Sequence, residues 1–547
     1  MASPESQGPA ASFRVAPPTI SFTSEDLARF SAASHDRNPL HLSEEYARAT
    51  PYGEPVVFGI LAVLASLGRL SNRPQHRLQS LSVEFRNPLA VGVPYRLEAS
   101  VPSADRETVK LYDATRLMMK ATFTFAPGQE TTQPMLVHGK PSISDAADRT
   151  KADLIPGTGV KGHYGPNTQE FAHVVTQWRL SGKGATAHQI AAMMWASFLV
   201  GMELPGKRAV FWRLMLQFFP ELEFQQGPFT YDAVVEQFDE RYDLLHTTGR
   251  LSSGTTTGVT AQTWAFVRQD SPQPSLRRMT ELLPPSERLI GRVALVIGGS
   301  RGLGAAITQA LASQGCSVVM NYHRSSQEAE RIRASFGASS THITLLQGNA
   351  ADVNWCETAR QTILNRFGRL DLLICNASPP IRPLSFAPER LAQFDDFLSK
   401  SLALITVPMA SFLSALAESE GWNVVLSSAF VKEPPVEFPQ YVTTKCAIEG
   451  LVRWAAVHSP KVHQLIVRPP KLFTDQTNTT MGRQGAMDVE QAAASIVRHI
   501  CFASQAHTLE ILEPFELSRD PSPRPDGNEQ PPANDRQPVG RQPIPTN

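Results

Sequence analysis

The segment Asp36-Arg37-Asn38-Pro39-Leu40-His41 sets a carboxylate and an imidazole five residues apart around a proline. Pro39 fixes its own φ and pushes Asn38 out of helical geometry, so the chain turns and both side chains can approach one point. An acid and a base at one centre suit the loss of water from a 3-hydroxyacyl thioester, or the reverse hydration. One group takes the proton beside the carbonyl and the other protonates the departing hydroxyl. The enolate formed on the way needs a donor, which a backbone N–H at Gly59, opening an apolar helix, would supply. Taken alone, the same residues also read as a loop capped by Asp36, with His41 on the surface.

A second group of residues suits hydride transfer. Gly298-Gly299-Ser300-Arg301-Gly302-Leu303-Gly304 follows the apolar run VALVI and opens a further apolar stretch. A strand, a glycine turn and a helix in that order can hold a pyrophosphate on backbone N–H groups. Tyr441 and Lys445 are four residues apart, about one helical turn, and so share a face. The ammonium is expected to lower the phenol's pKa, making Tyr441 a workable proton donor, while Ser428 orients a carbonyl. After the second strand comes Asn321-Tyr322-His323-Arg324, with no acidic residue for a ribose 2′-hydroxyl. Arg301 and Arg324 could clamp a 2′-phosphate instead. NADPH is therefore the expected cofactor, and NADPH suggests reduction.

Both groups need scaffolds, and the scaffolds differ. Up to residue 268 a weak internal repeat is visible. Apolar helix Val56–Leu67 leads to alternating strands within 81–101 and 121–127, and apolar helix Ile190–Met202 leads to strands within 214–235 and 260–267. Helices apolar on every face belong inside a wrapping sheet. From Leu289 strands and helices alternate, as in a doubly wound parallel sheet. The expected fold is an α+β double hot-dog N-terminal region followed by an α/β Rossmann-type sheet. The expected boundaries are a disordered 1–17, hot-dog 18–135 with the catalytic pair, and hot-dog 136–268 without one. A linker follows at 269–288, then the sheet domain at 289–517 and a disordered, Pro-rich tail at 518–547.

Around the first motif the run DRNPLHLSEEYARATPYGEPVVFGIL resembles the (R)-specific enoyl-CoA hydratases of the MaoC-like hot-dog family. The resemblance implies that Asp36 and His41 are the catalytic pair and that Asn38 orients them. Phe58 stands where many members carry His. The second copy lacks the motif, and His173 and His188 are expected to be structural.

The second group resembles the short-chain dehydrogenase/reductase family. Gly298, Gly302 and Gly304 keep its glycine spacing, and Asn349-Ala350 and Asn376-Ala377-Ser378 follow the third and fourth strands. The resemblance implies that these residues, with Ser300, Arg301, Leu303 and Arg324, bind the cofactor. It also implies that Lys445 holds the nicotinamide ribose beside Tyr441, and that Thr474 contacts the nicotinamide amide. Ser401 stands where a helix Asn often completes the catalytic set, and could hold a water for proton relay. Ile297 and Asn349 replace the family's usual Thr and Asp, and Pro470 stands where a Pro-Gly pair normally follows Arg468-Pro469.

The bulk properties narrow the partners. Lys+Arg and Asp+Glu both total 51 in 547 residues, which gives no electrostatic case for nucleic acid or an acidic membrane. The five cysteines show no metal-like spacing, so no metal is expected and the thiols read as reduced. No secretory signal is evident at the start, and run 190–202 is short of the ~20 residues that span a bilayer. A cytoplasmic chain is expected.

Together these features lead to a bifunctional enzyme of fatty-acid or polyketide-type biosynthesis. It would reduce a 3-ketoacyl thioester with NADPH and then dehydrate the 3-hydroxyacyl product, carried on acyl carrier protein or coenzyme A. Two alternatives stay open: hydration followed by NAD-linked oxidation as in β-oxidation, or one reductase with the hot-dog half as a carrier-binding module. The oligomeric state is open too, a homodimer included.

Overall fold

The computed structural model describes residues 18–103, 105–128, 144–219, 229–270, 272–503 and 508–518. Segment 1–17 and, apart from Ser518, the tail 518–547, both expected to be disordered, lie outside these residues.

The N-terminal region is one antiparallel sheet of ten strands. They are β1 (Thr19–Ile20), β2 (His76–Phe85), β3 (Tyr95–Ala99), β4 (Arg106–Asp113), β5 (Arg116–Pro127), β6 (Gly159–Tyr164), β7 (Ala209–Phe218), β8 (Phe229–Asp239), β9 (Leu244–Ser253) and β10 (Thr256–Val267). Their order is β1-β3-β4-β5-β2-β7-β10-β9-β8-β6. The two copies of the repeat meet at β2 and β7, where Ser80 pairs with Gln217 and Glu84 with Arg213. Alternation gives the sheet its inner face: Met119, Ala121, Phe123 and Phe125 of β5 are buried while the residues between them are less so.

Among the described residues six α-helices belong to this region: α1 (Ser24–Ser34), α2 (Pro39–Leu42), α3 (Glu44–Arg48), α4 (Gly59–Leu67), α5 (Thr168–Gln177) and α6 (Ala187–Phe198). Every residue of α4 after Gly59 is buried, as is every residue of α6 from Gln189, so neither needs a polar face. A Thr186/Gln189 capping box starts α6, which ends in a π-helical turn, Leu199–Glu203. The helix predicted from Val56 starts instead at Gly59. Val56 and Val57 are extended, bridging to Ala90 and bonding to Leu89 O at 2.8 Å.

The C-terminal region holds a seven-stranded parallel sheet. β11 (Val293–Ile297), β12 (Ser317–Tyr322), β13 (Ile343–Gln347), β14 (Leu372–Cys375), β15 (Trp422–Leu426), β16 (His463–Val467) and a last strand, Leu509–Leu512, run in the order β13-β12-β11-β14-β15-β16-last. β11 and its neighbours are buried on both faces, as parallel sheets are. One face is covered by α7 (Leu276–Leu282), α8 (Gly302–Ser313), α9 (Ser326–Ala334) and helix Val489–Phe502; the other by α10 (Val353–Phe367), α11 (Leu391–Ser419) and α12 (Pro439–His458). α11 with its preceding turn is long and apolar enough to cross a bilayer by composition alone. Here its Ile405, Met409, Phe412 and Leu416 are buried in the core beside β14 and β15.

The Pro-rich stretch 269–288 is more ordered than a linker need be. It contains α7, whose Met279 is fully buried, and Arg498 donates to Leu282 O at 2.7 Å. The two regions also touch directly. Arg390, 2% exposed, bonds through Nε to Asp113 Oδ1 at 2.6 Å and through Nη2 to Pro94 O at 2.8 Å. A Cβ on Gly53 would come within 2.6 Å of Pro380, so the loop before α4 lies hard against the sheet domain.

Candidate active sites

Asp36 follows α1 directly. His35 ends that helix in the left-handed region (φ 59°), which turns Asp36 inward to 2% exposure. Its Oδ2 accepts from Ser197 Oγ of α6 at 2.7 Å and its Oδ1 from the backbone N–H of Asn38 at 3.1 Å. Burial pushes its pKa up to about 7, against the pull of those two donors. Asn38 caps α2 by accepting from Leu40 N–H at 3.0 Å, and its Nδ2 donates to Gly201 O (3.1 Å) and Gly206 O (3.0 Å). It thus ties the Asp36–His41 turn to the second repeat.

His41 lies on α2 with Nδ1 2.7 Å from Val56 O. A carbonyl only accepts, so Nδ1 carries the proton and Nε2 keeps a free lone pair. Burial lowers the imidazole pKa to about 4, so His41 is neutral at ordinary pH. Phe58 stacks on it, ring centres 3.9 Å apart, and packs on Phe30 behind. Phe58 therefore fixes the orientation of the His41 ring.

Asp36 and His41 line one cavity of about 500 Å³ together with Gly59. No side chain caps the start of α4 there, and a Cβ on Gly59 would meet the Phe85 ring at 2.7 Å. A buried carboxyl with a raised pKa, a neutral imidazole and a helix N-terminus face the same space. These are the groups that elimination of water beside a carbonyl requires. His173 and His188 are not among the residues lining it; His173 pairs with Glu170 at 3.6 Å on α5.

Several residues of this site carry no motif. Ser197 and Gly201 lie on the second repeat, where a Cβ on Gly201 would stand 2.4 Å from Asp36 Oδ1. Arg268 donates to Tyr46 Oη at 2.9 Å and lines the cavity. Asn478, Thr479, Thr480, Met481 and Arg483 line it from the C-terminal region. Gly201 becomes informative only once the two repeats are known to face each other.

The glycine turn lies at the end of β11. Gly298 has φ 71° and Gly302 φ 51°, both in the region that favours glycine. A Cβ on Gly304 would meet Gly298 O at 2.1 Å and Asn376 Nδ2 at 2.5 Å, which explains the third glycine. Asn376 Nδ2 donates to Gly298 O at 3.0 Å, fixing the turn against β14. Ser300 and Leu303 are 6% and 7% exposed beside it, and Ala377 lies 3.0 Å from where a Gly298 Cβ would be. No side chain caps α8, so its first N–H groups remain for an anion. Asn349 accepts from Ala351 N–H at 3.1 Å in a local turn, Ala350 is buried, and Ser378 is exposed. These residues fit a nicotinamide dinucleotide.

The two arginines already have partners. Arg301 Nη1 donates to Arg48 O at 3.0 Å and to Asp475 Oδ2 at 3.3 Å, and Arg324 Nη1 meets Glu44 Oε2 at 2.9 Å. Arg48 and Glu44 belong to α3, so the N-terminal region borders the cofactor cleft. The Arg324–Glu44 pair is exposed on both sides, and such pairs contribute roughly 0–1 kcal/mol, little enough to be exchanged for a phosphate.

Ser428, 7% exposed at the end of β15, is hydrogen-bonded to the Tyr441 hydroxyl. The expected lowering of the phenol by Lys445 is not found. Burial raises the Tyr441 pKa, and Ser428 supplies the opposing pull. Lys445 Nζ lies 5.4 Å from the Tyr441 ring centre and donates to Leu426 O at 2.6 Å. Burial lowers its own pKa to about 8. Ser401 on α11 is 6% exposed, and its hydroxyl makes no hydrogen bond among the described residues. Thr474 Cγ2 is 3.5 Å from where a Gly302 Cβ would lie, beside the turn.

Comparison with known proteins matches both regions. Residues 7–117 match the MaoC like domain, and residues 292–482 match the short chain dehydrogenase family. The chain is 29% identical over 188 residues to the 3-oxoacyl-(acyl-carrier-protein) reductase FabG of Staphylococcus aureus, covering 34% of this chain and 76% of that protein. It is 30% identical over 172 residues to the hydroxynaphthalene reductase arp2 of Aspergillus fumigatus, covering 31% of this chain and 61% of that protein. Among solved structures, a short chain dehydrogenase from Burkholderia cenocepacia in complex with NADP is 25% identical. It aligns with 42% of this chain and all of its own, at a TM-score of 0.37.

Proposed function

We propose that this chain, a MaoC-like domain joined to a short-chain dehydrogenase/reductase domain, performs two consecutive steps on one acyl thioester. The first reduces a 3-ketoacyl thioester to the 3-hydroxyacyl form; the second removes water to give the trans-2-enoyl thioester. The double hot-dog reading of the N-terminal half is supported by its ten continuous antiparallel strands and two enclosed helices.

When bound, NADPH supplies a hydride to the keto carbon. Tyr441 gives its proton to the developing alkoxide, Ser428 orients the carbonyl, and Lys445 holds the ribose. Arg301 and Arg324 favour the 2′-phosphate. In the second step His41 Nε2 takes the α-proton, and the electrons of that C–H bond move toward the carbonyl. The enolate oxygen is met by N–H groups at the start of α4. Asp36 then protonates the 3-hydroxyl, which leaves as water while the double bond forms.

One observation carries this reading: Asp36, His41 and Gly59 at the start of α4 line one cavity, where burial pushes the Asp36 pKa up to about 7 and the His41 pKa down to about 4. The likeness to a 3-oxoacyl-(acyl-carrier-protein) reductase supports the choice of substrate. The test supplies an (R)-3-hydroxyacyl-CoA without nucleotide and follows enoyl product. Formation that disappears in His41→Ala supports the dehydratase. Equal rates with and without His41 would remove it, and a strong preference for NAD would reverse the direction.

A further inference from the structure

The cavity that holds Asp36 and His41 is completed by the other domain. Thr479, Thr480, Met481 and Arg483 line it from the reductase side, just beyond the residues that border the glycine turn. The segment is fastened at both ends. Asn478, 4% exposed, donates through Nδ2 to the carbonyls of Gln269 (3.1 Å) and Asp270 (2.9 Å). Thr480 Oγ1 lies 3.1 Å from both Tyr242 O and Asp243 Oδ2, and Arg483 pairs with Asp243, itself a cavity residue only 7% exposed. Between these anchors Met481 is 68% exposed while still lining the cavity, so it stands at an opening.

We propose that Thr479–Arg483 is a substrate-reading element of the dehydration site, contributed in cis by the reductase domain. The acyl thioester passes Met481 to reach Asp36 and His41. This rests on the dehydratase reading above. The chemistry of the segment fits the role. A flexible, polarizable thioether at an opening adapts to an alkyl chain or a pantetheine arm, whereas a rigid ring would narrow the passage. The anchors at Asn478, Thr480 and Arg483 fasten the segment beside the cavity, so a larger side chain at 481 lies at the opening. The segment also follows closely on Thr474, which lies next to the glycine turn of the other site.

The test uses the full chain without nucleotide, so that the reductase is silent, with (R)-3-hydroxybutyryl-CoA and (R)-3-hydroxyoctanoyl-CoA as substrates. Met481→Trp is expected to raise KM for dehydration about tenfold or more with a smaller change in kcat, and Met481→Ala to change KM less than about threefold. A rise for both substrates places the pantetheine arm at Met481, and a rise confined to the octanoyl substrate places the acyl tail there. Thr479→Tyr is the second probe, expected to act in the same direction, and unfolding transitions identify any variant that fails to fold. Folded Met481→Trp and Thr479→Tyr proteins with wild-type KM for both substrates would overturn the proposal. A wild-type protein that forms no enoyl product would overturn the dehydratase reading, and the proposal with it.

Discussion

Ser197 Oγ donates a 2.7 Å hydrogen bond to Asp36 Oδ2, joining the buried helix of the second repeat to the acid of the first. The second repeat has no acid/base motif of its own, yet it decides the state of the one that exists. It supplies Ser197, the close approach of Gly201 and the two carbonyls that hold Asn38. Its loss from the motif is therefore no loss from the site.

The pair gives dehydration a defined pH window. His41 must be unprotonated, which fails as pH falls through about 4, and Asp36 must be protonated, which fails as pH rises through about 7. The profile of kcat/KM for dehydration should be bell-shaped with limbs near those values. A profile flat from pH 5 to 9 would contradict the assignment.

Ser197→Ala removes a donor that stabilises the carboxylate form of Asp36. The carboxyl then holds its proton to higher pH, so the alkaline limb should move upward while the acid limb stays in place. Loss of the hydrogen bond should also lower stability by about 1 kcal/mol. An alkaline limb that moves downward would reverse the sign argued here.

Gly201→Ala should displace the acid, because its Cβ would sit 2.4 Å from Asp36 Oδ1. Overpacking of this kind costs about 1–3 kcal/mol, and dehydration should fall at least about tenfold. Reduction of a 3-ketoacyl thioester, measured on the same preparation, should change far less.

Much of this was legible in the sequence. The Asp36–His41 motif, the glycine turn and the Ser428, Tyr441 and Lys445 series each depend on local geometry, a proline turn or a helical repeat, and the fold sets Asp36 and His41 on one cavity, the glycines at the end of β11 and Ser428 beside Tyr441. The apolar range from Val56 was three residues longer than the helix that Gly59 opens, since Val56 and Val57 are as apolar in extended chain as in a helix. The direction of the Tyr441 shift was missed because burial, invisible in spacing, outweighs the pull of Ser428, while Lys445 turns its ammonium to Leu426 O. Ser197, Gly201 and Met481 could not be found, because they reach the site only through contacts between distant segments.

The cofactor preference has its own test. Arg301→Ala and Arg324→Ala should each weaken NADP binding about tenfold, the equivalent of about 1.4 kcal/mol, as read by calorimetry. NAD binding should shift less than about threefold. Equal losses for both nucleotides would mean that the arginines hold the fold and not the 2′-phosphate, a real alternative given their bonds to Arg48 O, Asp475 and Glu44.

The most direct measurement incubates the protein with a 3-ketoacyl thioester and NADPH and follows all three acyl species by mass. Wild-type protein should yield the enoyl thioester. His41→Ala should stop at the 3-hydroxyacyl stage, and Tyr441→Phe should leave the keto substrate untouched. Wild-type protein that halts at the 3-hydroxyacyl thioester, or a His41→Ala protein that still forms the enoyl product, would contradict two working sites in one chain.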